Sequence, residues 1–185
     1  RIARVADIAE RIETTTNASL LTAAGAEKLV EYRLDYARGS IYSSDQNRHE
    51  KITGSKTDIR SIHENLRLLQ ECKKRRKAEK PFVSAKMLDT YGEENDRFVE
   101  IYRDVSDELY LDKPHGWIKT GEADFLGNYY QDGAAAAADD LKRHSTSRAA
   151  CARAFTTMAV RSSGTVSPCC VDFIGGTNLG NVEEQ

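Results

Sequence analysis

No apolar run in this sequence approaches the ~20 residues that a membrane-spanning helix needs, and no secretory leader opens it. A soluble, cytoplasmic protein is the resulting expectation. An excess of charge of one sign is missing as well. The 27 Lys and Arg against 29 Asp and Glu leave a formal net charge of -2, no electrostatic reason to expect nucleic acid or an anionic membrane as partner. Several signatures of chemistry are absent: a Gly-rich phosphate loop, a GxSxG elbow and a paired-carboxylate constellation. The four histidines, His49, His63, His115 and His144, are scattered and form no HxxxH or CxxH pattern.

What is present is a repeating alternation of strand-like and helix-like segments. Ile12 to Thr16 is rich in β-branched residues and reads as a strand. Thr22 caps a helix running to about Tyr32, with Ala26, Leu29 and Val30 on one face. Arg33 stands where a helix-ending glycine is usual. Residues 37–43 read as a second strand, weakened by Gly39, and 44–56 as a polar loop. Ile59, Ile62, Leu66 and Leu69 mark a helix over 58–77, with Lys and Arg filling its last turns. Phe82 to Leu88 forms a third strand. Thr90-Tyr91-Gly92-Glu93 fits a capping box for a helix over 92–105, and 108–113 forms a fourth strand.

Strand and helix alternating with short connections is βαβ grammar, which implies neighbouring parallel strands with helices on the outer face. The unit spacing predicts an α/β fold: a partial, truncated (β/α) TIM-like barrel over residues 1–113. Residues 114–150, with glycines and the run Ala134–Ala138, read as a linker. Residues 151–185 read as a small β-hairpin tail carrying cysteines, with its turn at Ser163-Gly164 and Met158 opposite Cys169.

Two regions can carry chemistry. Function in α/β barrels gathers at the C-terminal ends of the strands. That edge offers Thr16, Asn17, Ser40, Ser43, Lys86, Asp89, Asp112, Lys113 and His115. Strand-end capping accounts for such residues individually; together they make a polar rim suited to a small zwitterionic molecule. In the tail, Cys151, Cys169 and Cys170 offer thiolates for an iron–sulfur cluster or zinc. Adjacent residues on a strand point to opposite faces, so Cys169 is preferred over Cys170, for which a packed hydrophobe is the simpler role. Cys72, among Lys73 to Lys77, reads as a helix-surface cysteine on a solvated basic face, or as a reactive thiol of lowered pKa.

At these residues the chain resembles a family. Thr15-Thr16-Asn17-Ala18-Ser19-Leu20-Leu21-Thr22 is similar to the segment after the third barrel strand of radical S-adenosylmethionine (radical SAM) enzymes. Ala37-Arg38-Gly39-Ser40-Ile41, followed by Glu50-Lys51-Ile52-Thr53-Gly54, resembles their fourth strand and its loop, and Lys86-Met87-Leu88-Asp89 fits the next strand. Cys151 to Cys169, with four residues between Gly164 and the second cysteine and the later Leu179-Gly180-Asn181-Val182, resembles the start of a SPASM-type iron–sulfur tail.

The resemblance implies an enzyme that reductively cleaves S-adenosyl-L-methionine and modifies a peptide or small molecule by radical chemistry. It implies flavodoxin or ferredoxin as reductant. By position, Ser40 matches a residue contacting S-adenosylmethionine, Thr16 and Asn17 the edge facing cofactor or substrate, and Lys86 a position that touches ligand. Cys151 and Cys169 match the first two auxiliary [4Fe-4S] ligands. The CxxxCxxC motif of the radical-generating [4Fe-4S] cluster is absent and expected upstream, and the auxiliary site is incomplete. The chain therefore reads as an inactive fragment of a catalytic parent. A non-catalytic iron–sulfur or zinc protein on a barrel scaffold is the alternative, and a TIM-type enzyme with incidental cysteines is a third reading.

Overall fold

The computed structural model describes residues 2–7, 9–113, 152–170, 172 and 176–184. A short helix α1 (Ile2–Val5) leads into β1 (Glu13–Thr16), α2 (Ala23–Glu31) and β2 (Tyr36–Ser40). Then come α3 (Gln46–Thr53), α4 (Ile59–Arg76), β3 (Phe82–Leu88), α5 (Glu93–Tyr102) and β4 (Glu108–Asp112). The tail holds a one-turn helix α6 (Arg153–Thr156) and strands β5 (Ala159–Val160), β6 (Thr165–Ser167) and β7 (Gly180–Asn181). The expected linker at 114–150 lies outside the described residues.

β1 to β4 form one sheet in sequence order, and every neighbouring pair is parallel. Among the described residues the sheet is open, with β1 and β4 at its ends. The alternation of segments thus gives the parallel sheet, while closure into a barrel is not part of what is seen. No helix among the described residues is long and apolar enough to cross a membrane.

The core sits between the sheet and its helices. Ala37, Val83, Ala85 and Met87 bury one sheet face against Ile62, Leu66 and Leu69 of α4, with Ala26 and Val30 of α2 and Phe98 and Tyr102 of α5. Each fully buried Leu, Ile or Phe contributes roughly 1.5–3 kcal/mol of transfer free energy. Gly39 belongs to this packing. A Cβ there would lie 3.3 Å from Leu66 Cδ1, so the glycine sets how closely α4 lies on β2.

Three expectations fail in this region. Residues 44–56 hold a helix, not only loop. α3 is too polar to show apolar periodicity, but its ends are defined: the Asp45 carboxylate accepts from the Arg48 N–H at 2.8 Å, and Gly54 closes it at φ 65°. Cys72 is buried, 2% exposed, because the apolar stripe of α4 continues into its last turns. Burial removes the Cys72 thiol from solvent. Lys73 is buried as well, and its ammonium reaches Asp107 at 2.5 Å. Finally, Thr90 forms no capping box. Its hydroxyl and amide both donate to Asn95 Oδ1, and Gly92 is the residue before α5. Arg33 does take the left-handed conformation, φ 52°, that a glycine after α2 would adopt.

Candidate functional site

The parallel register decides which rim residues meet. Ser40 pairs with Lys86, and Tyr36, Arg38 and Ser40 alternate with the helix-facing Ala37 and Gly39. Side chains one residue apart on a strand point to opposite faces, so Ser40 and Lys86 share the face away from the helices. Tyr36 stacks on Phe82 on that face, ring centroids 5.8 Å apart, and Arg38 lies 5.3 Å from the Tyr36 ring. The Lys86 ammonium is ion-paired with Asp112 on β4. Ser84, two residues before Lys86, is fully buried and its hydroxyl has no hydrogen-bond partner among the described residues.

Other rim residues go elsewhere. Thr16 pairs with Gly39, placing it in the row opposite Ser40, and its hydroxyl accepts from the Ala18 N–H at 3.0 Å. The Asn17 carboxamide oxygen accepts from the Ser19 N–H and hydroxyl at 3.1 and 2.9 Å. Asp89 accepts from the Tyr91 N–H and the Asn95 amide, both at 2.8 Å, as a turn-shaping residue. His115 lies outside the described residues.

Ser43 is fully buried and donates to Glu94. Sequence reasoning did not single out Glu94. It is 6% exposed, accepts from the Ser44 N–H at 3.0 Å and pairs with Arg48 at 3.3 Å. One buried carboxylate at the start of α5 thereby holds the loop that leaves β2 just after Ser40. His49 was likewise passed over as one of several scattered histidines. It is 3% exposed on α3, and burial lowers its pKa below 6.5, an effect partly opposed by the Glu50 carboxylate. Its ring borders a cleft of about 350 Å³ together with Asn17, Tyr42, Ile52 and Ile62. The outlying His63 packs edge-on against Tyr102, centroids 5.9 Å apart. Burial pushes the Tyr102 phenol up to about 12.

In the tail, the hairpin register differs by one residue from expectation. Ala159 faces Ser167 and Val160 faces Val166, which sets Met158 toward Pro168 and not Cys169. The turn has three residues. The Gly164 N–H donates to Arg161 O at 2.9 Å and Gly164 follows at φ 78°, the type I plus left-handed arrangement of three-residue hairpins. The helical turn α6 precedes the hairpin, and strand begins only at Ala159.

Cys169 is half-buried and Cys170 exposed. The Cys169 carbonyl accepts from the Asp172 N–H at 3.2 Å and the Ser167 hydroxyl at 3.3 Å. The Asp172 carboxylate in turn accepts from the Gly176 and Thr177 N–H groups, both at 2.8 Å. Backbone around Cys169 is thus held on both sides. Cys151 lies outside the described residues, so its approach to Cys169 does too. Among the described residues no group of three or more potential metal ligands gathers. Cys169 and Cys170 are the soft thiols available there, fitting donors for iron or zinc but fewer than the four a cluster takes.

Residues 151–185 match the family model SPASM, described as an iron–sulfur cluster-binding domain. The tail is therefore of SPASM type. Searches of curated proteins and of solved structures found no match to the chain.

Proposed function

We propose that this chain is part of a radical SAM enzyme, with its parallel α/β region belonging to the catalytic barrel and its tail holding an auxiliary iron–sulfur cluster. The observation that carries this reading is the SPASM match over residues 151–185. The four parallel strands, neighbours in sequence order, are compatible with it.

When bound, such a cluster supplies one-electron redox chemistry. Cys169 would be one ligand, its backbone fixed by Ser167 and Asp172. Cys151 is the second by resemblance. The exposed Cys170 belongs to the candidate set as the weaker member. On the sheet, Ser40 would offer a hydroxyl to S-adenosylmethionine, and Lys86 an ammonium to a ligand carboxylate in exchange for Asp112. Thr16, the last residue of β1, and Asn17 just beyond it would border the cofactor or substrate from the helix side of the rim. The substrate would be a peptide or small molecule, and flavodoxin or ferredoxin the electron source. The chain contains no CxxxCxxC motif. Reductive cleavage would therefore need residues other than these.

The test is anaerobic iron–sulfur reconstitution of the chain and of the full-length gene product. Cys169→Ala is expected to lower tail-bound iron and sulfide strongly, and Cys170→Ala only slightly. The full-length product, with S-adenosylmethionine and dithionite, is expected to release 5′-deoxyadenosine. Cluster assembly without any 5′-deoxyadenosine would favour the second reading, a non-catalytic iron–sulfur protein. Full iron retention in Cys169→Ala would remove the assignment of that ligand.

A further inference from the structure

The cleft beside His49 is distinct from the open sheet face. Ile62 of α4 lines it, on the helix side of the rim, and neither Ser40 nor Lys86 does. Three features define what it can hold. First, no Lys, Arg, Asp or Glu lines it among the described residues. Second, it contains a buried polar group with spare capacity. The His49 ring is almost wholly enclosed and its Nδ1 has no hydrogen-bond partner among the described residues. Burial lowers the ring's pKa and so favours its neutral form, which carries one N–H and one lone pair. Third, Asn17 is preoriented. Its carboxamide oxygen is engaged twice by Ser19, which leaves the NH₂ as the donating end at the cleft wall. Ile52 and Ile62 supply apolar surface beside these polar groups.

We infer that this cleft binds an uncharged amide. A carbonyl oxygen accepts from the Asn17 NH₂, the amide N–H meets the His49 imidazole, and the attached apolar group rests on Ile52 and Ile62. Among the described lining residues an anion finds no Lys or Arg, and a cation finds no carboxylate. The volume is at the small end for ligand pockets, which suits one or two peptide units or a small carboxamide. Both sources carry the same chemistry, and their sizes tell them apart.

The test follows the His49 ring signals by NMR in the whole isotope-labelled chain, without cluster, so its outcome is independent of the tail and of the radical SAM reading. The probes are an N-acetylated, C-amidated alanine tripeptide, acetamide, acetate and glucose. The expected result is a saturating shift with the tripeptide at roughly millimolar concentration. Saturation by the tripeptide at lower concentration than acetamide identifies a peptide ligand, and equal potency identifies a small carboxamide. Asn17→Leu, a substitution at an exposed position, should weaken binding about tenfold, the loss of one hydrogen bond. His49→Phe should do likewise where it folds. The inference is overturned by the absence of any amide-induced shift, by acetate or glucose acting as strongly, or by unchanged binding in Asn17→Leu.

Discussion

Replacing Glu94 by Ala tests the idea that one buried carboxylate holds the β2–α3 loop in place. In the native protein its Oε1 receives both the Ser43 hydroxyl and the Ser44 N–H, while Oε2 faces Arg48. Glu94 and Ser43 are 6% and 0% exposed, so water cannot easily replace the lost acceptor. Each stranded buried donor costs about 1–3 kcal/mol. With relaxation allowed, the two together give a destabilisation of about 2–4 kcal/mol for Glu94→Ala. Glu94→Gln keeps an acceptor oxygen for both donors and loses mainly the charge facing Arg48. That pair is partly screened because the Arg48 side chain is 29% exposed, so about 1 kcal/mol is expected. Urea unfolding by linear extrapolation measures both values. Hydrogen exchange at the Ser44 amide gives an independent local readout, which should quicken strongly in Glu94→Ala and little in Glu94→Gln. A loss below about 1 kcal/mol in Glu94→Ala, or an unchanged Ser44 amide, would refute the reasoning.

Substituting Gly39 by Ala should cost about 1 kcal/mol and by Val about 2–3 kcal/mol, because the added atoms meet Leu66; equal stability of all three in urea would show that α4 can give way. The lowered His49 pKa makes a contribution to stability that is fully present above the unfolded value of 6.5 and is lost as pH falls through the depressed native value. His49→Phe should therefore show a shallower loss of urea midpoint between neutral and mildly acidic pH; parallel profiles would contradict this. Asp107 titrates lower still. Burial pushes its carboxyl up, but bonds from Lys73, the Val83 N–H and Gln70 outweigh that and hold it below 3.8. Its contribution is present above the unfolded value and is lost as pH falls through the depressed native one, and Asp107→Asn should flatten that acid limb.

The strand positions were legible in the chain because β-branched and apolar runs of strand length stand between helix-period segments. β3 was read over its observed span, Phe82–Leu88, and β1 and β4 to within a residue, while β2 ends at Ser40, three residues before the expected end. α3 was not legible. A helix held by caps and one buried histidine leaves no apolar period to read. Cys72 misled for the opposite reason, since five neighbouring basic residues suggested a solvated face while the i, i+3, i+4 spacing from Ile62 carried it into the core. The tail turn was placed at the right glycine, yet a three-residue loop in place of two moved the register by one.

From the sequence by itself came the βα alternation, the parallel order that short right-handed crossovers impose, and the tail cysteines whose thiol chemistry suits a cluster. Each depends on local pattern or on residue type. The tertiary structure alone decided that Ser40 faces Lys86, that Glu94 receives Ser43, and that His49 and Asn17 border one cleft. Those meetings join residues about 30–50 positions apart. They depend on strand register and helix placement, which emerge when buried side chains pack and which no neighbouring residues specify.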